Sequence, residues 1–349
     1  METSDLSFGV RVIVCEMVKN ASPLLLALLF LGLMAPASAA PPITSAAFSP
    51  DGQSVLIGSQ AGIEVRSWPN LEVQRRLETQ LAHVHDLAFS PNRNVLAASG
   101  GRPAEEGVVE LFSWPEGKRL AGQTTHDDLI YGLAWRPDGK QLALASADHA
   151  VTLHNISSAS TPVLAPSDHR LEGHSRGVLA AAYLPAGDLV VTAGVDQSLR
   201  VWDVATRQLR RTLDNHTADV RDLAVRPLTN AQQPIIASAS ADRTVRLWQP
   251  NIGRLTRFAR LPSEPLAIDW TPDGGRLIAS CVDGHVRVID PDSVQVIVDL
   301  PAVDGWAYTV AAAPDARQAI VGGTNGQLKR VAIDPPAERE AITTSRDAR

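Results

Sequence analysis

Histidine, a hydroxyl residue and aspartate recur together in two neighbouring stretches, as His174, Thr192 and Asp196 and then as His216, Ser238 and Asp242. A hydroxyl, an imidazole and a carboxylate in contact can serve as nucleophile, general base and orienting acid, so a hydrolase is the first chemistry to weigh. The local signals that accompany such chemistry are missing. The chain has no Gly-x-Ser-x-Gly elbow, no phosphate-cradling loop and no dinucleotide fingerprint. His83 and His85 lie two apart on a strand and share a face, a geometry that suits a metal, while Asp86 points the other way. No second histidine pair accompanies them, and zinc takes three or four protein ligands, so no metal and no other cofactor is expected. Asn155-Ile156-Ser157 and Asn215-His216-Thr217 match glycosylation sequons.

The elements that carry these residues are repeats. A strand ending in proline occurs seven times, with the prolines at Pro50, Pro91, Pro137, Pro185, Pro227, Pro272 and Pro314, separated by 41 to 48 residues. Pro-Asp-Gly, as at Pro50-Asp51-Gly52 and Pro137-Asp138-Gly139, is a turn in which Pro presets φ and Gly accepts the positive φ. A short apolar strand follows each turn, then a third alternating strand such as Thr244-Val245-Arg246-Leu247-Trp248, then a polar outer strand such as Arg207 to Arg211. Four strands at this period are one propeller blade, and no amphipathic helix of useful length interrupts them. The expected fold is all-β, a seven-bladed β-propeller of four-stranded antiparallel blades spanning 40–345, with 346–349 as a tail.

Units four and five carry a family resemblance. Gly173-His174 opens unit four, whose third strand ends Val201-Trp202-Asp203, and unit five runs from Asn215-His216 to Leu247-Trp248. The chain resembles the WD-repeat (WD-40 type) propellers, as an exported member of bacterial type. That resemblance implies a buried hydrogen-bond chain in each blade, here His174, Thr192, Asp196 and Trp202, and His216, Ser238, Asp242 and Trp248. It assigns the histidine, hydroxyl and aspartate to structure rather than catalysis, and a buried network of this kind must be fully satisfied to be tolerated. Elsewhere the pattern decays: unit three keeps His126 and Asp148 but has Leu144 and His154 in the other two places, unit six ends in Ile289, and unit seven in Val331.

Counting back six residues from each proline gives Thr44, His85, Tyr131, Leu179, Arg221, Leu266 and Tyr308, and counting back eight adds His83, Asp219, Glu264 and Trp306. The resemblance implies that these positions open the innermost strands at the top of the central channel, where partners dock. Tyr, Trp and Arg dominate interface hot spots. His85, Tyr131, Arg221, Trp306 and Tyr308 are therefore the expected binding face, for a protein or peptide partner, and no catalytic residue is assigned. The alternative is a lactonase- or esterase-like propeller hydrolase with a metal in the channel, for which His83, His85, Asp219 and Glu264 are the raw material.

A formal charge of −6, with only four lysines, gives no polycation for counterion release, so nucleic acid is not an expected partner. The N-terminus departs from the rest. Lys19 precedes an apolar run from Leu24 to Met34 that ends Ala35-Pro36-Ala37-Ser38-Ala39, the outline of a secretory signal peptide over 1–39. The run is far shorter than the roughly 18 residues of a bilayer span, so no stable membrane insertion is expected once the leader is cut; retention uncut, as a membrane anchor, is the alternative. The acidic Glu2, Asp5 and Glu16 ahead of the run point to Met17 as the true start. A secreted or periplasmic location follows. Loss of Cys15 with the leader leaves Cys281 alone, so no internal disulfide forms and packing must hold the fold. The seventh outer strand should come from Arg339 to Thr344, so that loss of the last ten residues loosens the ring without preventing folding. Intact-mass analysis of the exported chain should place its first residue at Ala40; a chain starting upstream of Leu24 would remove the signal-peptide reading.

Overall fold

The computed structural model describes residues 40–157, 162–165, 169–227 and 233–334. The expected leader, the closing strand at 339–344 and the tail at 346–349 lie outside the described residues. Each proline-terminated unit forms one antiparallel sheet, with its strands stacked in chain order from the channel outward. The inner strands are Ile43–Phe48, Val84–Phe89, Ile130–Trp135, Val178–Tyr183, Val220–Val225, Pro265–Trp270 and Ala307–Ala312. Each lies against the inner strands of its two neighbours, and the seventh lies against the first, so seven blades close a ring. Six blades have four strands, and the seventh has three among the described residues.

Burial explains the composition of each layer. The second strand of a blade is covered on both faces by adjacent blades, and Ser54–Ser59, Gln141–Ser146 and Leu189–Gly194 are buried at every position. Such strands read as continuous apolar runs rather than alternations. Outer strands such as Leu209–Leu213 are exposed until their last residue, and they are written in Arg, Gln and Thr. The core is divided accordingly into seven apolar clusters, each shared by two consecutive blades. Trp248 of blade 5, fully buried, packs on Leu199, Val201 and Leu213 of blade 4. Cys281, the one cysteine among the described residues, is buried in the cluster between blades 5 and 6.

The ring closes by side-chain packing between blades 7 and 1. Ile43, Val55 and Ile57 of blade 1 share a cluster with Ala311 and Ile320 of blade 7, and the Arg330 guanidinium lies 5.9 Å from the centre of the Trp68 ring. The proline turns also meet around the lower rim. Gly52 has φ +70°, and a Cβ added there would stand 3.0 Å from Cγ of Pro314 in the blade 7 turn. Gly139 has the same φ in the blade 3 turn, but its nearest neighbour would be Pro91 at 3.8 Å. Gly139→Ala should therefore cost only the left-handed strain of an alanine, about 1–2 kcal/mol, and Gly52→Ala should cost more, because it also pushes the closing turns apart. Urea unfolding of the two variants tests this; equal losses would show that the turn contact at the closure contributes nothing.

Candidate binding site at the channel mouth

One irregularity is common to every blade. The pairing of inner and second strands slips by one residue near the start of each inner strand, between Ile43 and Ser45, Val84 and Asp86, Ile130 and Gly132, Val178 and Ala180, Val220 and Asp222, Pro265 and Ala267, and Ala307 and Thr309. The unpaired residues are Thr44, His85, Tyr131, Leu179, Arg221, Leu266 and Tyr308, the seven found by counting back six from the prolines. A bulge bends its strand and re-aims the extra side chain. All seven line a single cavity of about 880 Å³ that occupies the channel, together with Trp306.

The mouth is uneven in chemistry. His85 and Tyr131 of neighbouring blades meet at a tilt of 60° with ring centres 4.9 Å apart, and His85 stacks on His83 at 6.2 Å. Burial, with the charge of His83 adding to it, lowers the His85 pKa to about 4, so the ring is neutral at physiological pH. Trp306 and Tyr308 form a second aromatic pair at 5.8 Å, with Trp306 about half exposed. Across the boundary of blades 5 and 6, Arg221 Nη2 donates to Glu264 Oε2 at 2.8 Å, while Nη1 is buried with no partner among the described residues. Leu179 and Leu266 complete the wall. The four residues weighed for a metal are not brought to one point: Glu264 holds Arg221, and among the described residues no three His, Cys, Asp or Glu side chains converge as ligands.

Below the mouth, three aspartates that sequence reasoning passed over or read as facing away line the same cavity. Asp86, Asp222 and Asp269 each accept from the N–H of the next residue with one oxygen, and from the adjacent blade with the other. The cross-blade donors are Leu133 N to Asp86 at 2.8 Å, Ile268 N to Asp222 at 2.7 Å and Ala312 N to Asp269 at 2.8 Å. Each carboxylate thus straps one inner strand to the next. Burial raises all three; backbone N–H groups pull them back down in part, and the charges of Asp86 and Asp269 add to the rise at Asp222. Asp86 and Asp269 stand at about 6 and Asp222 at about 7.

The tetrad residues lie between the strands, away from the cavity. In blade 4, Trp202 Nε1 donates to Thr192 Oγ1 at 2.9 Å, the hydroxyl meets His174 Nε2 at 2.7 Å, and Nδ1 meets Asp196 at 2.9 Å. Blade 5 repeats this with Trp248 to Ser238 at 2.9 Å, Ser238 to His216 at 2.7 Å and His216 to Asp242 at 2.7 Å. Ser240, the other candidate, donates to Ala218 O instead. Because the indole can only donate, the hydroxyl proton turns to Nε2 and leaves Nδ1–H for the carboxylate. Burial opposes the charge of Asp242, but hydrogen bonds from Thr244 and His216 outweigh it and hold the carboxyl at about 2.

Blade 3 solves the same problem differently. Its second-strand position is Leu144, but Thr152, directly opposite on the third strand, supplies the hydroxyl, 2.8 Å from His126 Nε2 and 3.0 Å from His154 Nε2, while His126 Nδ1 meets Asp148 at 2.8 Å. In blade 6 the buried Arg287 takes the corresponding place on the third strand and reaches both Asp283, at 2.7 Å, and Asp299, at 3.0 Å. The degenerate blades are therefore rebuilt rather than empty. A threonine two residues before His154 was the available signal for blade 3.

A propeller with a bulged, aromatic-rich channel mouth is thus defined by fold and site. Comparison with known proteins identifies its repeats: residues 117–155, 166–203, 207–249 and 262–290 match the family described as WD domain, G-beta repeat. The four matched segments cover less than half of the chain, and with the relatives below they support a WD-repeat propeller. The first three matched segments each begin at the outer strand of one blade and end with the third strand of the next. The chain is 26% identical over 278 residues to a guanine nucleotide-binding protein subunit beta of Solanum tuberosum, covering 72% of this chain and 69% of that protein. It is also 26% identical to Protein HIR1 of Yarrowia lipolytica and to Periodic tryptophan protein 2 of Arabidopsis thaliana, in each case over 71% of this chain but only 24% and 27% of the relative.

The strapped aspartates make a pH prediction. A carboxyl with a folded pKa above its unfolded value contributes stability that is fully present below the unfolded value and lost as pH rises through the folded one. Asp222, raised from 3.8 to about 7, should lose its contribution between about pH 4 and 7. His216 and His85 are lowered by burial and act in the opposite direction as pH falls, so the comparison must be with Asp222→Asn. The melting temperature of wild type minus that of the variant should shrink as pH rises from 5 to 8. A difference that stays constant or grows would contradict a carboxyl raised by burial.

Proposed function

We propose that this propeller is an exported scaffold, secreted or periplasmic, that holds a protein or peptide partner at the mouth of its channel. The observation that carries the proposal is the ring of seven bulges. An identical backbone device in every blade delivers one side chain to one cavity, and the residues delivered include the aromatic and arginine types that anchor interfaces. Two aromatic pairs and one cross-blade ion pair give the mouth a polarity that a partner can read in only one orientation. WD-repeat propellers commonly work as interaction scaffolds, and the Solanum tuberosum relative is named as a subunit, a part of a larger protein. The leader-like sequence at 1–39 supports export. The hydrolase alternative needed His83, His85, Asp219 and Glu264 to meet, and Glu264 is engaged with Arg221 instead.

The test is affinity capture of partners by the exported protein, wild type against Trp306→Ala/Tyr308→Ala/Arg221→Ala at matched melting temperature. A partner retained by the wild type and lost from the triple variant is the expected result. Identical capture by both would remove the mouth from the account.

A further inference from the structure

One stretch of this acidic chain is enriched in basic residues. Residues 207–260 hold ten of its 32 basic residues and four of its 38 acidic ones. Five of the ten, Arg210, Arg211, Arg254, Arg257 and Arg260, stand on the outer strands of blades 4 and 5, at the far end of the sheets from the channel. The outer strand of blade 5, Arg254–Arg260, exposes Arg254, Arg257, Phe258 and Arg260. It is the last strand of its sheet, so the backbone N–H and C=O groups along its outward edge have no ladder partner among the described residues. The outer strand of blade 4 adjoins the turn that leads into it, with Arg211 Nε donating to Asn251 O at 3.3 Å.

Arginine on an edge strand has a plain use, which is to discourage strand-to-strand aggregation. On blades 1 and 2 part of this charge is neutralised. Arg76 of blade 1 is paired with Glu64 at 2.7 Å, and Arg119 of blade 2 with the buried Glu110 at 2.6 Å. On blades 4 and 5 the charge is left over: Arg210 and Arg257 have carboxylate partners, but Arg207, Arg254 and Arg260 form no ion pair among the described residues. Phe258, half exposed, stands among them with the Arg246 guanidinium 5.8 Å from its ring centre. Unneutralised arginines, an exposed aromatic and an open backbone edge occur on one strand.

We infer that the outer strand Arg254–Arg260 of blade 5 docks an acidic, extended segment of a partner protein as an added strand. The charge selects carboxylates, Phe258 offers an apolar anchor, and the open edge supplies main-chain hydrogen bonds, which is how a peptide is added to a sheet. An anionic membrane would answer the charge alone and leave the backbone edge unused, so a polypeptide is the better fit. This surface is distinct from the channel mouth, and the two can succeed or fail separately.

The probe is a fluorescent peptide of alternating glutamate and valine, titrated by anisotropy at low and physiological salt. The wild type should bind it with an affinity that weakens as salt rises. Arg254→Glu/Arg260→Glu should weaken binding by about tenfold or more, as expected for losing two exposed ion pairs and adding repulsion. Phe258→Ala should weaken it less, and Arg317→Glu on the remote turn of blade 7 should leave it unchanged. Proline at alternate positions of the peptide should abolish binding, because an added strand needs its N–H groups. The inference is overturned by no binding of the acidic peptide, by equal binding of a lysine-valine peptide or of the proline-interrupted one, or by equal binding to the reversed variant. It is also overturned if phosphatidylglycerol vesicles bind in an arginine-dependent way while the acidic peptide does not.

Discussion

A four-stranded blade has two apolar faces and no means of covering either by itself. Every other feature of this protein depends on that constraint. The second strand of each blade is buried from both sides only because a neighbour lies on each, and the seven apolar clusters are seven blade interfaces rather than seven blade interiors. Stability in such an arrangement is a property of contacts between successive units, so the interface between the last blade and the first matters as much as any other. Ile43 and Ala311 at that interface, and Trp68 beneath Arg330, show the circle completed by ordinary side chains.

Polar groups follow the same logic. The tetrads tie the loop that enters a blade to that blade's own second and third strands, and the channel aspartates tie one inner strand to the next. Each set tolerates burial because its donors and acceptors are matched. The bulges are the exception that the packing permits. They fall at the channel end of the blade, where the ladder can slip by one residue without exposing a core face, and there the chain can vary side chains freely. The resulting mouth is aromatic over blades 2, 3 and 7 and charged at the boundary of blades 5 and 6, whereas the core positions beside it hardly vary in character.

What was legible in the sequence was what local chemistry decides. Proline turns and strand alternation are written over short stretches, so the blade count and the strand order could be read directly, whereas the choice of Ser238 rests on the family resemblance and its equivalence to Thr192. Cross-strand facts were not legible. That Thr152 would stand in for Leu144 depends on the register of two strands, and a residue-by-residue alignment of repeats hides a hydroxyl that has moved to the facing strand. Asp222 and Asp269 escaped notice because their bonds cross to the next blade. Asp269 also sits two positions further along its strand than Asp86 and Asp222 do, relative to the prolines. The bulges themselves left no mark in the sequence. The count of six from each proline found their residues without revealing why those side chains point to the channel.

The central claim is that the bulged residues meet a partner. A photoreactive phenylalanine analogue at Tyr308, compared with the same analogue at Asn92 in a proline turn at the opposite end of the inner strands, addresses it most directly. Irradiation of the protein in its native extract should give a discrete higher-mass adduct from position 308 and none from position 92. Adducts from position 92 alone, or from both positions equally, would contradict the account.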